Sequence, residues 1–148
     1  MPMRKLLIAA AVMLAMTACG GHKSETTPES ETTVAQETVD RVVDLDNDDL
    51  YRPGAPVQTP TILDFNATWC GPCREFKPVF HAASNEFPEV TFVSIDVDKN
   101  PATAQAFGIS SIPTVVFIAP DGTSTSYIGT GDLLPLEKFR NLIQSVFK

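Results

Sequence analysis

Residues 61–73 read TILDFNATWCGPC, and the fold is decided there. Thr61 to Asn66 is a run of strand formers preceded by Pro60, with one acid, Asp64, set in its middle. A buried carboxylate without a partner is costly, so Asp64 needs a chemical reason. After two residues the chain reaches Trp69-Cys70-Gly71-Pro72-Cys73, and beyond it Phe76, Val79, Phe80, Ala83 and Phe87 recur at helical spacing. The pattern predicts a strand that turns into a helix over 70–87, with a cysteine at the turn and a kink at Pro78. Positions three apart share a helix face, so Cys70 and Cys73 can meet. At a helix N-terminus, unpaired N–H groups and the dipole favour an anion, and the thiolate is the reactive form of a cysteine. Pro72 falls in the first turn, where its missing N–H costs little. Gly71 keeps the approach to the sulfurs open.

Outward from this core the chain alternates. RVVDL (41–45) reads as a short strand, and Pro53, Pro56 and Pro60 leave room for at most one helical turn before residue 61. VTFVSIDV (90–97) is the next strand. Asn100 is placed to cap a short helix that has Pro101 at its first position and Gly108 at its end. TVVFIA (114–119), the turn PDG and TSTSYIG (123–129) form a hairpin. Leu136, Phe139, Leu142, Ile143 and Val146 mark a last helix over 135–147. Strands alternating with helices predict an α/β fold with parallel pairing, an antiparallel edge from the hairpin, and helices on both sheet faces.

The first residues are of another kind. In MPMRKLLIAAAVMLAMTAC, Arg4 and Lys5 precede an uncharged, mostly apolar run over 6–18. Thirteen helical residues span about 20 Å, short of a bilayer core of about 30 Å. Residues 1–18 therefore read as a secretory signal rather than a mature anchor. MTACGG resembles a bacterial lipoprotein box, in which the signal is cleaved before the cysteine and Cys19 is lipidated; an ordinary cleaved signal would leave Cys19 free. Residues 19–39 then form a flexible acidic linker, too poor in apolar side chains to offset its ordering entropy. As coil it spans roughly 25 Å. The domain follows over 40–148. Without Arg4 and Lys5 the chain carries nine basic against eighteen acidic residues, about −9 net, which argues against nucleic acid and anionic lipid as partners.

With Cys19 assigned to lipid, only Cys70 and Cys73 remain, too few for a disulfide framework. Zinc normally takes four ligands, the domain holds no second cysteine pair, and His81 lies about 12 Å along the helix from Cys73. No metal is expected. Redox chemistry and a vicinal structural disulfide both remain open on spacing alone.

ATWCGPC between strand and helix resembles the thioredoxin family, and the likeness extends over 40–148. It implies the thioredoxin fold, with a mixed sheet of about five strands, and a protein disulfide oxidoreductase. Cys70 would attack, Cys73 would resolve, and Asp64 matches the family's buried acid that exchanges a proton with the resolving thiol. A carboxyl in an apolar setting has a raised pKa and can serve near neutral pH. GISSIPT (108–114) matches the loop that ends in a cis-proline, here Pro113. By the same resemblance Ile112 pairs with the substrate backbone, while Trp69, Gly71, Pro72 and Gly129 line the groove. Ser94 departs from a lysine often found near the acid, and Asn66 from an aromatic residue.

No cofactor is implied, because the sulfur pair carries the two electrons. The resemblance and the export signal imply a monomer in the bacterial envelope, held on a membrane through lipid on Cys19. Gly20 stands where many Gram-negative inner-membrane lipoproteins carry Asp, and that resemblance favours the outer membrane, with the domain facing the periplasm. The expected partners are disulfide-containing envelope proteins and a membrane thiol–electron donor. Gly-Pro between the cysteines resembles the reducing members. The alternatives are a disulfide oxidase or isomerase, a thiol relay for cytochrome or copper-site assembly, and a non-catalytic module that holds clients in the Pro113 groove.

Overall fold

The computed structural model describes residues 39–148 except Asn47 and Asp49. The signal segment, Cys19 and the linker up to residue 38 lie outside the described residues. In chain order the elements are β1 (Val42–Asp44), β2 (Thr61–Asn66), α1 (Gly71–Glu86), β3 (Thr91–Asp96), α2 (Pro101–Ala106), β4 (Thr114–Ile118), β5 (Ser124–Ile128) and α3 (Leu136–Val146). The strands make one sheet in the order β1-β3-β2-β4-β5. The fold is α/β, with a five-stranded mixed sheet.

Strand alternation sorts the two faces. Ile62, Phe92, Val115 and Phe117 point to one side, where they meet Phe76, Phe80 and Ala83 of α1 and Phe139 and Ile143 of α3. Their rings interlock edge to face, with Phe76 and Phe139 at 5.1 Å and Phe80 and Phe92 at 5.1 Å between centroids. Leu63, Phe65, Val93, Ile95, Val116 and Ile118 point the other way, under Ala104 of α2, Phe107, and Tyr51 and Val57 of the segment before β2. Period-two patterning therefore puts Asp64 and Asn66 on the α1 face, beside Ile62, and not among Leu63 and Phe65.

Parallel pairing holds for β1–β3 and β2–β3 but not for β4, which runs antiparallel to β2 as well as to β5. Helix length explains the difference. Sixteen residues of α1 run about 24 Å, enough to return the chain to the far end of the sheet; six residues of α2 cover only about 9 Å. The chain therefore re-enters the sheet at the end where β3 left it, and Thr114 pairs with Phe65 near the C-terminal end of β2. That reversal brings Pro113 to the same sheet end as Cys70.

Asn100 does not cap α2 with its side chain. Its amide donates instead to the Leu45 and Asp96 carbonyls, at 3.1 Å each. The cap comes from Asp48, whose carboxylate accepts from Ala102 N–H (3.0 Å) and Thr103 N–H (2.8 Å). Burial of Asn100, 1 % exposed, obliges its amide to satisfy backbone groups that nothing else reaches. The β4–β5 turn is held differently. Gly122 sits at φ +87°, and a Cβ there would lie 2.6 Å from the Gly54 carbonyl oxygen. Gly122→Ala should therefore cost about 2 kcal/mol in denaturant unfolding, because backbone rather than a movable side chain must yield.

Candidate active site

Cys70 is the N-cap of α1. Its backbone is extended (φ −80°, ψ 110°), and its sulfur accepts from the Cys73 N–H at 3.2 Å. Cys70 N–H closes a turn onto the Ala67 carbonyl (3.1 Å), so the chain arrives from β2 already bent toward the helix. Pro72 occupies the first turn, as the missing donor predicts. Cys70 and Cys73 are joined in a disulfide of 2.08 Å with Cα atoms 5.3 Å apart. Both are nearly covered, at 5 % and 4 % exposed, and pack with Ala67, Val97 and Ile112. An N–H aimed at Cys70 sulfur lowers the cost of its anion once the disulfide opens. A Cβ on Gly71 would meet only the end of the Arg74 side chain, at 3.9 Å, so the backbone between the two cysteines is not crowded.

Asp64 faces Ser94 directly across β2–β3 and is 4 % exposed. Burial pushes its carboxyl from 3.8 up to about 7, against the opposing pull of the Asn66 amide and the Lys77 charge. Asn66 Nδ2 donates to Asp64 Oδ2 (3.3 Å) and to Ser94 Oγ (3.0 Å). Asp64 Oδ1 has no hydrogen-bond partner among the described residues. A cavity of about 320 Å³ is lined by Asp64, Asn66 and Ser94 from the sheet and by Cys73 and Lys77 from α1. A titratable acid and a buried sulfur thus share one recess, on the α1 face.

The second flank is apolar. Ile112–Pro113 is a cis peptide bond, and Ile112 packs on the cysteine pair. The loop is fastened by Thr114 Oγ1 donating to the Ser111 carbonyl (2.7 Å) and by Gly129 N–H donating to the Pro113 carbonyl (2.8 Å). Gly129 lies at φ +77°, a conformation that other residues adopt at a cost. Trp69 is 66 % exposed, yet its ring is fixed, because Nε1 donates to Asp98 Oδ2 at 2.8 Å. Trp69, Val97, Ala104 and residues 109–112 enclose a groove of about 390 Å³.

The candidate site residues named from the sequence, Cys19 apart, therefore lie at the cysteine pair or on one of its two flanks. Two neighbours of the site were not foreseen. Asp98 orients Trp69 from 29 positions away, with no sequence signal that links them. Lys77 stands four residues after Cys73 and so on its helix face; that spacing could have been read. Among the described residues no group of three or more His, Cys, Asp or Glu is placed to hold a metal ion. His81 meets the Asp40 carboxylate at 2.9 Å.

Residues 41–144 match the family model described as Thioredoxin. The chain is 36 % identical over 89 residues to a thioredoxin of Borreliella burgdorferi, across 60 % of this chain and 74 % of that one. Among solved structures it resembles oxidized mitochondrial thioredoxin 3 from Saccharomyces cerevisiae, with a TM-score of 0.58 at 28 % identity, over 70 % of this chain and 94 % of that one. Thioredoxin of Fasciola hepatica superposes with a TM-score of 0.52 at 36 % identity, over 59 % and 80 %. A reactive-sulfur geometry reached from the strand pattern and a match that spans most of the chain converge, and the chain belongs to the thioredoxin family of thiol–disulfide oxidoreductases.

Proposed function

We propose that the protein reduces disulfides in proteins of the bacterial envelope, by dithiol–disulfide exchange through Cys70 and Cys73. The carrying observation is the N–H of Cys73 aimed at the Cys70 sulfur, which supports an anion at that sulfur. Cys70 thiolate attacks a substrate disulfide; that S–S bond breaks, one substrate thiolate leaves, and a Cys70–substrate disulfide forms. Cys73 passes its proton to Asp64 and attacks Cys70 sulfur. The second substrate thiolate departs, so the substrate gains two electrons and the pair is left oxidised. A membrane thiol donor restores it. An extended substrate segment lies along Ile112 and Pro113, read through its backbone, with Trp69, Gly71, Pro72 and Gly129 around it.

The direction rests on Gly71-Pro72 between the cysteines, with no cation there to favour the dithiol form. Equilibration with graded thiol buffers should give a potential near about −270 mV, and a value above about −180 mV would overturn the reductase reading. Cys70→Ser separates catalysis from mere client binding: insulin reduction should vanish, whereas a holding module would keep its clients and have no reduction to lose. The lipid on Cys19 and an outer-membrane position remain part of the proposal, supported by MTACGG and Gly20. Labelled palmitate should enter the wild type and not Cys19→Ala; label in both, or in neither, overturns the anchor.

A further inference from the structure

The cavity beside Asp64 and the groove beside Trp69 share no lining residue. The first lies under α1 and the second beside α2, on opposite faces of the sheet. A substrate chain seated by Trp69 and Ile112 therefore leaves the other recess open for proton exchange. The walls of that recess name what can act there. Asn66 of β2 and Ser94 of β3 are neutral and bonded to each other. On the β4 side Asp64 pairs with Val115, which is apolar. From α1 come Cys73, Arg74, Lys77 and His81. Arg74 Nη1 donates to the Thr68 carbonyl (3.3 Å), and His81 is held by Asp40. Among the described residues the ammonium of Lys77 makes no hydrogen bond or ion pair, and its charge acts on Asp64.

We propose that Lys77 is a positioning residue of the exchange reaction, which acts on Cys73 through Asp64 across the cavity that all three line. The inference rests on the reading that Asp64 takes the Cys73 proton. Lys77 follows Cys73 by one helical turn, and its exposed stem lets the ammonium fold over the cavity mouth. A positive charge there favours the ionised carboxyl, the form that accepts a proton. Because Ser94 is neutral, a cation on the helix rather than on the neighbouring strand does this work.

The test uses the oxidised and reduced protein, with Asp64 followed by carboxyl-carbon NMR and exchange followed by insulin reduction across pH. In Lys77→Met the Asp64 midpoint should rise by about 0.5–1 pH unit, with the acid limb of the rate profile moving by the same amount. At pH values below the midpoint this is a roughly three- to ten-fold loss of ionised carboxyl. Lys77→Arg should restore both. Raising salt to about 1 M should move the wild type toward Lys77→Met and leave the variant nearly unchanged, because an exposed charge is screened. An unmoved midpoint in Lys77→Met overturns the inference. So does a rate shift of equal size when Lys77→Met is added to Asp64→Asn, since Lys77 would then act without the carboxyl. If Asp64→Asn itself leaves the rate profile unchanged, the proton role of Asp64 fails first; a slowed Asp64→Asn with an inert Lys77→Met sinks only the role of Lys77.

Discussion

In Cys73→Ala, exchange should stop at a covalent complex between Cys70 and the substrate cysteine, visible as a band on a non-reducing gel and lost on adding excess thiol. Cys70 keeps its cap position and the N–H of residue 73, so the first attack survives. The second attack does not. In the intact pair, Cys73 is held with its Cα 5.3 Å from that of Cys70, on the same helix face. Well-held intramolecular groups react as if at about 10⁵ M or more, whereas a thiol from solution at millimolar concentration has no such advantage. Turnover should fall by at least ~10³-fold. Cys70→Ser should trap nothing, because it removes the sulfur that the Cys73 N–H supports as an anion. A Cys73→Ala protein that keeps turnover within about ten-fold of the wild type would show that resolution does not run through Cys73. The same trap, used in cells, names the clients.

How much of this was legible varies with the range of the interaction. β2, the motif and α1 were readable because each is announced within a turn or two of chain: a run of strand formers, a thiol spacing, and Phe76 and Phe80 at helical intervals. Asp64 stood out because an acid among Ile62, Leu63 and Phe65 has no local explanation. Where the sequence misled, a distant group decided. Asn100 has the chemistry of a cap, but Asp48, more than fifty positions upstream, takes that task while Asn100 serves the Leu45 carbonyl. The sense of β4 followed from the shortness of α2, not from its presence. Asn66 looked like a lost aromatic; its meaning came from Ser94, which only strand register places within reach.

Asp64→Asn should make the oxidised protein more stable by about 4 kcal/mol at pH 8, and slower. The sign follows from proton counting. In the unfolded chain the carboxyl ionises around 3.8; in the native protein burial delays this to about 7. Between those values the native state holds a proton that the unfolded state has lost, so rising pH favours unfolding throughout that window. Above it the full cost of the buried charge is present, near 1.4 kcal/mol for each pH unit of the window. An amide of similar shape ionises nowhere, and its oxygen can still accept from Asn66. The advantage of the variant should therefore shrink as pH falls, be small at pH 4 and disappear below about pH 3, where the wild-type carboxyl is neutral in both states. Denaturant unfolding at pH 4, 6 and 8 measures it; a pH-independent difference, or one below about 1 kcal/mol at pH 8, would mean the carboxyl is better solvated than its burial implies. The rate moves the other way. Loss of a positioned base typically costs 10²–10⁴-fold, and here the loss falls on the Cys73 step, so the mixed disulfide should accumulate. Stability is lower in the wild type because a carboxylate sits where an amide or an apolar side chain would fit. On the proposed mechanism, that deficit and the proton transfer have one origin, a carboxyl kept out of water in the cavity that Cys73 also lines.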